Sequence, residues 1–75
     1  MPHVIVKLWP GKTDEQKTHL AEAIARDVIA ILGSSEASVS VSIEDVPKED
    51  WAEQVYGPDI VAHPERLFRK PGYTL

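Results

Sequence analysis

No cysteine occurs among the 75 residues, which excludes disulfide bridges and thiolate metal sites. No run approaches the ~20 apolar residues of a membrane span. Residues 1–10 lack the basic flank and small-residue cleavage site of a secretory leader, so a cytoplasmic location with no membrane partner is expected. Cationic residues are scarce: eight Lys and Arg stand against twelve Asp and Glu, a formal net charge of −4. Nucleic-acid affinity rests mainly on phosphate neutralisation, so this balance argues against DNA or RNA as a partner. The remaining composition, 43% hydrophobic and 27% charged, is that of a globular chain, and its length suits a single domain over residues 1–75. A lone core of this size seldom supplies more than ~3–5 kcal/mol without disulfides, metals or partners. Self-association is the remaining route, so a homo-oligomer is expected.

Residues 3–9, His-Val-Ile-Val-Lys-Leu-Trp, are rich in β-branched and aromatic types. Val4, Val6 and Leu8 share one face, while Ile5 and Trp9 make the other partly apolar, the pattern of a strand covered on both sides. Pro10-Gly11 suits a type II turn. Thr13-Asp14-Glu15-Gln16 has the form of a capping box, with two carboxylates at the positive end of the helix dipole. Leu20, Ile24, Val28 and Ile31/Leu32 then recur at helical spacing opposite His19, Glu22 and Arg26, the last two placed for an i,i+4 pair. Gly33 is the expected left-handed stop. Residues 38–44 alternate strictly and read as a second strand. Strand, long helix, strand defines a βαβ unit with parallel strands and a right-handed crossover. Pro47 to Trp51 suits a short helical turn, Tyr56-Gly57-Pro58 a break, and residues 59–70 a second, shorter helix carrying Ile60, Val61, Leu67 and Phe68 and divided at Pro64. The fold class is therefore α/β (α+β): two parallel strands, one long crossover helix and a short C-terminal helix. Two strands and a helix leave a sheet face bare, and a second copy is expected to cover it.

Few residues carry an obvious chemistry. His3, His19 and His63 have no metal-ligand spacing, and no serine lies in a nucleophile elbow. Glu44-Asp45 and Glu49-Asp50 read as solvated loop charges, and Arg66, Arg69 and Lys70 as complements to a helix C-terminus. Pro2 stands out. Methionine aminopeptidases trim Met1 before a small second residue, which would leave a rigid secondary amine at the head of a strand. Ordinary α-amino groups titrate near ~8, and an apolar pocket or nearby cations lower that value. A base poised near the working pH is what proton transfer at carbon needs.

Pro2 opening a strand, the turn at Gly11, Thr13 to Lys17, the long helix and the strand over residues 38–46 together resemble the 4-oxalocrotonate tautomerase family, from Pro2 to Trp51. The tail, with Arg69-Lys70-Pro71-Gly72-Tyr73, is most similar to the bacterial PptA-type branch. The resemblance implies a fold completed by oligomerisation, with a dimer favoured and a trimer or hexamer possible. It implies a catalytic proline at Pro2, a cation at Lys12 and an aromatic wall at Trp51. It puts Ser40 where the family carries a second arginine. Ser40 cannot hold a carboxylate by charge, and a lysine is a point charge where arginine offers a planar fork. A monocarboxylate with an aromatic body, of the phenylpyruvate kind, fits this set better than a dicarboxylate. Lys12 also reads as a solvent-facing turn lysine, and Trp51 as interface packing.

At ~3.3 Å per residue, Pro2 to Pro10 spans about 26 Å, which puts Lys12 and Trp51 out of reach of their own Pro2. A two-fold-related neighbour would bring them to it. The implied function is keto–enol tautomerisation of a small 2-oxo acid without metal or organic cofactor. The alternatives are a proline-dependent hydratase or dehalogenase and a non-catalytic oligomeric binding module.

Overall fold

The computed structural model describes all 75 residues. The chain runs from strand β1 (His3–Leu8) through helix α1 (Asp14–Leu32) to strand β2 (Ser40–Asp45). β1 and β2 pair in parallel, with His3 opposite Ser40, Ile5 opposite Ser42 and Leu8 opposite Asp45. The ladder is prolonged at both ends, by Ser40 N–H donating to Pro2 O at 3.2 Å and Val46 N–H donating to Leu8 O at 2.8 Å. Two parallel strands joined by a long helix are the arrangement the alternating and helical patterns predicted.

α1 begins and ends where its sequence signals lie. Thr13 is extended (φ −77°, ψ 161°), and its hydroxyl accepts from Gln16 N–H at 3.1 Å. The Gln16 side chain in turn accepts from Thr13 N–H at 2.9 Å, so two otherwise unpaired amide donors are satisfied. Gly33 takes φ +70° and returns its N–H to Ile29 O, a left-handed conformation that costs a residue without Cβ little. The helix lies on the face that carries Val4, Val6, Leu8, Val41 and Ile43, and Lys17 Nζ reaches Asp45 at 3.0 Å. The i,i+4 pair Glu22–Arg26 does not form; the ion pairs are Lys7–Asp59, Lys17–Asp45, His63–Glu65 and Arg66–Glu65.

Three expectations are corrected. β2 starts at Ser40, because residues 36–38 form a 3-10 turn in which the Ser38 hydroxyl bonds Ser35 O at 2.8 Å. The second helix lies earlier than residues 59–70. After a 3-10 turn (Lys48–Asp50), Ala52–Val61 is a π-helix that passes through Gly57-Pro58. Its wide i→i+5 winding, shown by Ala62 N–H to Gly57 O at 3.0 Å, relieves the clash of a proline ring with the carbonyl four residues back. A Cβ on Gly57 would sit 3.2 Å from Ala52 O, so the smallest residue lets this turn close. Beyond it only the short turn Pro64–Arg66 is helical, and Arg69 and Lys70 therefore complement no helix dipole.

The π-helical segment lies over part of the sheet face opposite α1, where Asp59 pairs with Lys7 and a cavity remains beside Ile5. Val46 and Val55 are the only buried residues, and ten large apolar side chains are exposed, among them Ile5, Leu20, Ile31, Leu32 and Phe68. Leu20 and Ile31, expected to pack inward, are exposed at 42% and 78%. No helix is long and apolar enough to cross a membrane.

Candidate active site

The parallel register separates the four candidate residues into two groups. Pro2 and Ser40 lie together at the N-terminal end of the sheet, joined by the Ser40 N–H bond to Pro2 O. Ser40 Oγ also lies 2.6 Å from His3 Nδ1, so its hydroxyl already has a partner. Pro2 is half-buried, and Met1 is fully exposed. While Met1 is attached, the Pro2 nitrogen is an amide without basicity.

Lys12 and Trp51 follow the opposite ends of β1 and β2. β1 alone puts about 20 Å between Pro2 and the turn that carries Lys12, whereas Trp51 turns back over the sheet to share a cavity with Ile5 and Lys7. Lys12 is exposed in the turn formed by Gly11 at φ +122°. Trp51 is half-buried, and its indole Nε1–H donates to the Tyr73 hydroxyl at 3.0 Å. Tyr73 packs on Tyr56 with ring centroids 5.6 Å apart at 35°. The C-terminal tail thus returns to the sheet and fixes the indole.

Two cavities flank Trp51. A smaller one, about 470 Å³, lies between the sheet and the π-helical segment and is lined by Ile5, Lys7, Trp51, Val55, Asp59 and Ile60. Within it Lys7 Nζ donates to Asp59 at 2.6 Å. That hydrogen bond holds the Lys7 pKa above its ordinary value; desolvation opposes it, and the charges of Asp59 and Glu44 add lesser upward effects. The larger cavity, about 730 Å³, is walled by Leu8, Trp9, Trp51, Ala52, Tyr73 and Leu75, with Lys7 and Lys48 at its polar points. Lys48 Nζ sits 5.2 Å from the centre of the Trp9 ring, within cation–π range. An apolar chamber with a few charged points is the usual form of a small-molecule site.

Sequence reasoning missed Lys48, Trp9, Tyr73 and the Lys7–Asp59 pair. One signal was present: Lys48 and Trp51 are three apart in a Pro-initiated turn, and side chains at i and i+3 eclipse in 3-10 geometry. The turn closes through Trp51 N–H to Lys48 O, and both side chains line the larger cavity. No comparable sign marks Tyr73 as a partner of Trp51.

Comparison with known proteins agrees with this architecture. The family profile described as "Tautomerase enzyme" matches residues 2–58. The chain is 48% identical over 73 residues to a protein of Xylella fastidiosa described as "Probable tautomerase", covering 97% of this chain and 89% of that one. It is 43% identical to Tautomerase PptA of an Enterobacter species, over the whole of both chains. Among solved structures, a 4-oxalocrotonate tautomerase isozyme from Methylibium petroleiphilum aligns with TM-score 0.63 and 36% identity, over 67% of this chain and 81% of that one. YwhB, a homologue of 4-oxalocrotonate tautomerase, aligns with TM-score 0.61 and 42% identity, over 63% and 77% of the two chains. Its class is that of the isomerases, and the chain belongs to the tautomerase family.

Proposed function

We propose that the chain catalyses keto–enol tautomerisation of a small 2-oxo acid with an aromatic body, phenylpyruvate-like, with the Pro2 nitrogen as general base and acid once Met1 is removed. The observation that carries this reading is the position of Pro2 at the head of β1, half-buried and hydrogen-bonded to the β2 edge, in a chain of the tautomerase family. The neutral amine takes the proton of the enol hydroxyl. The oxygen lone pair then forms the carbonyl, and the C=C pair collects a proton from the Pro2 ammonium at the adjacent carbon. No atom is gained or lost, and the amine is regenerated. Lys12 and backbone amides offset the charge that grows on the substrate oxygens, Ser40 adds a hydrogen bond, and Trp51 supplies the apolar wall.

The length of strand between Pro2 and its own Lys12 supports a site built between copies. A neighbour running antiparallel across a two-fold axis places its Lys12 and Trp51 at the first chain's Pro2. A dimer is the smallest assembly that does so, and the exposed apolar surface favours it. The test follows ketonisation of phenylenolpyruvate by protein whose mass shows loss of Met1, beside Pro2→Ala. A loss of at least a hundredfold in kcat/KM supports the reading, and an unchanged rate overturns it. Full retention of Met1 in the cellular protein would instead leave a binding module without a base.

A further inference from the structure

A carboxylate-bearing substrate needs a cation not already engaged by an acid. Lys7, Lys17 and Arg66 each have a carboxylate partner, at 2.6, 3.0 and 3.8 Å. Lys12, Arg26, Lys48, Arg69 and Lys70 have none. Lys12 lines neither cavity beside Trp51, whereas Lys48 lines the larger one. Lys7 also reaches that cavity, but Asp59 balances its charge. Lys48 therefore brings the one uncompensated positive charge to a chamber walled by Trp9, Trp51 and Tyr73.

Its placement is set by structure on two sides. The 3-10 turn closed by Trp51 N–H to Lys48 O points the side chains of both residues the same way. The Trp9 face, 5.2 Å from Nζ, attracts the ammonium without neutralising it. We infer that Lys48 anchors the carboxylate of an aromatic monoacid whose ring lies between Trp9 and Trp51, so that Lys48 sets substrate class. This assignment rests on the tautomerase reading for the chemistry but not for the binding. A single ammonium matches a monoanion, and Ser40, already bonded to His3, offers no charge for a second carboxylate.

The experiment measures binding of 3-phenylpropanoate, which cannot tautomerise, to the assembled, Met1-trimmed protein by calorimetry. The neutral 3-phenylpropanamide and the aliphatic dianion adipate serve as comparators. Lys48→Gln is expected to weaken 3-phenylpropanoate about tenfold or more, as loss of a hydrogen bond to a charged group does, and to leave the amide within twofold. Lys48→Arg should restore most of the affinity, and Arg26→Gln, an equal change in net charge at an exposed site on α1 that lines neither cavity, should leave it unchanged. In turnover of phenylenolpyruvate, Lys48→Gln should raise KM with little change in kcat. Adipate should bind more weakly than the aromatic monoanion. An unchanged 3-phenylpropanoate affinity in Lys48→Gln, or an equal loss for the amide, overturns the assignment. Failure of the catalytic reading looks different: full turnover in Pro2→Ala, with Lys48-dependent binding intact.

Discussion

Dilution is the perturbation that this surface makes most informative. A folded monomer of 8.3 kDa is expected to expose about 4,600 Å², whereas the single chain exposes 5870 Å². The excess, about 1,300 Å², is more than the roughly 800 Å² that each partner gives to a standard interface. With Val46 and Val55 alone buried, folding and assembly should be one transition. Its urea midpoint must then depend on chain concentration. A tenfold change in concentration is worth about 1.4 kcal/mol. Divided by a urea slope of about 1.5–3 kcal/mol per molar for a small assembly, it moves the midpoint by about 0.5–1 M. Tryptophan fluorescence across a hundredfold concentration range would register this, with sedimentation equilibrium on the same samples. A midpoint that stays fixed while the protein sediments as a folded single chain would refute the reasoning.

Two further outcomes follow from the contacts around Trp51. Tyr73→Phe removes the hydroxyl that accepts the indole N–H while keeping the ring against Tyr56. It should cost about 0.5–1 kcal/mol, shift tryptophan emission and raise KM for an aromatic substrate two- to fivefold; unaltered emission and KM would contradict the contact. The Lys7–Asp59 pair has a defined pH signature because the Lys7 pKa is raised in the folded state. Its stabilisation is fully present below the ordinary lysine value and is lost as pH rises through the folded one. The gap in urea midpoint between wild type and Lys7→Met should therefore be constant across neutral pH and close in the alkaline range, and a gap that persists there would contradict it.

Local rules explain what the sequence made legible. Thr13, Gln16 and Gly33 act within a few residues of themselves, so α1 could be placed to the residue. Alternation in residues 3–9 gave β1 and its two faces, and the strand–helix–strand order gave parallel pairing. The π-helix was illegible because Gly57-Pro58 signals a break in any α-helical reading, and the wider winding that accommodates both is rare. Leu20 and Ile31 have the period of an inward stripe, yet one chain supplies no surface to cover them. Pro2 and Ser40 were legible together at one end of the sheet, and Lys12 in the turn beyond the other. Lys48 and Tyr73 were not, because a cation–π contact with Trp9 and a hydrogen bond across 22 residues depend on tertiary placement.

Catalysis by this chain turns on the protonation of one nitrogen, and ¹⁵N NMR of a proline-labelled, Met1-trimmed sample reads it directly. The Pro2 nitrogen is expected to titrate below the ordinary α-amino value near ~8, and the acidic limb of the kcat/KM profile for phenylenolpyruvate, where the amine becomes protonated, to follow the same ionisation. A Pro2 nitrogen that stays protonated throughout the pH range of full activity would contradict it.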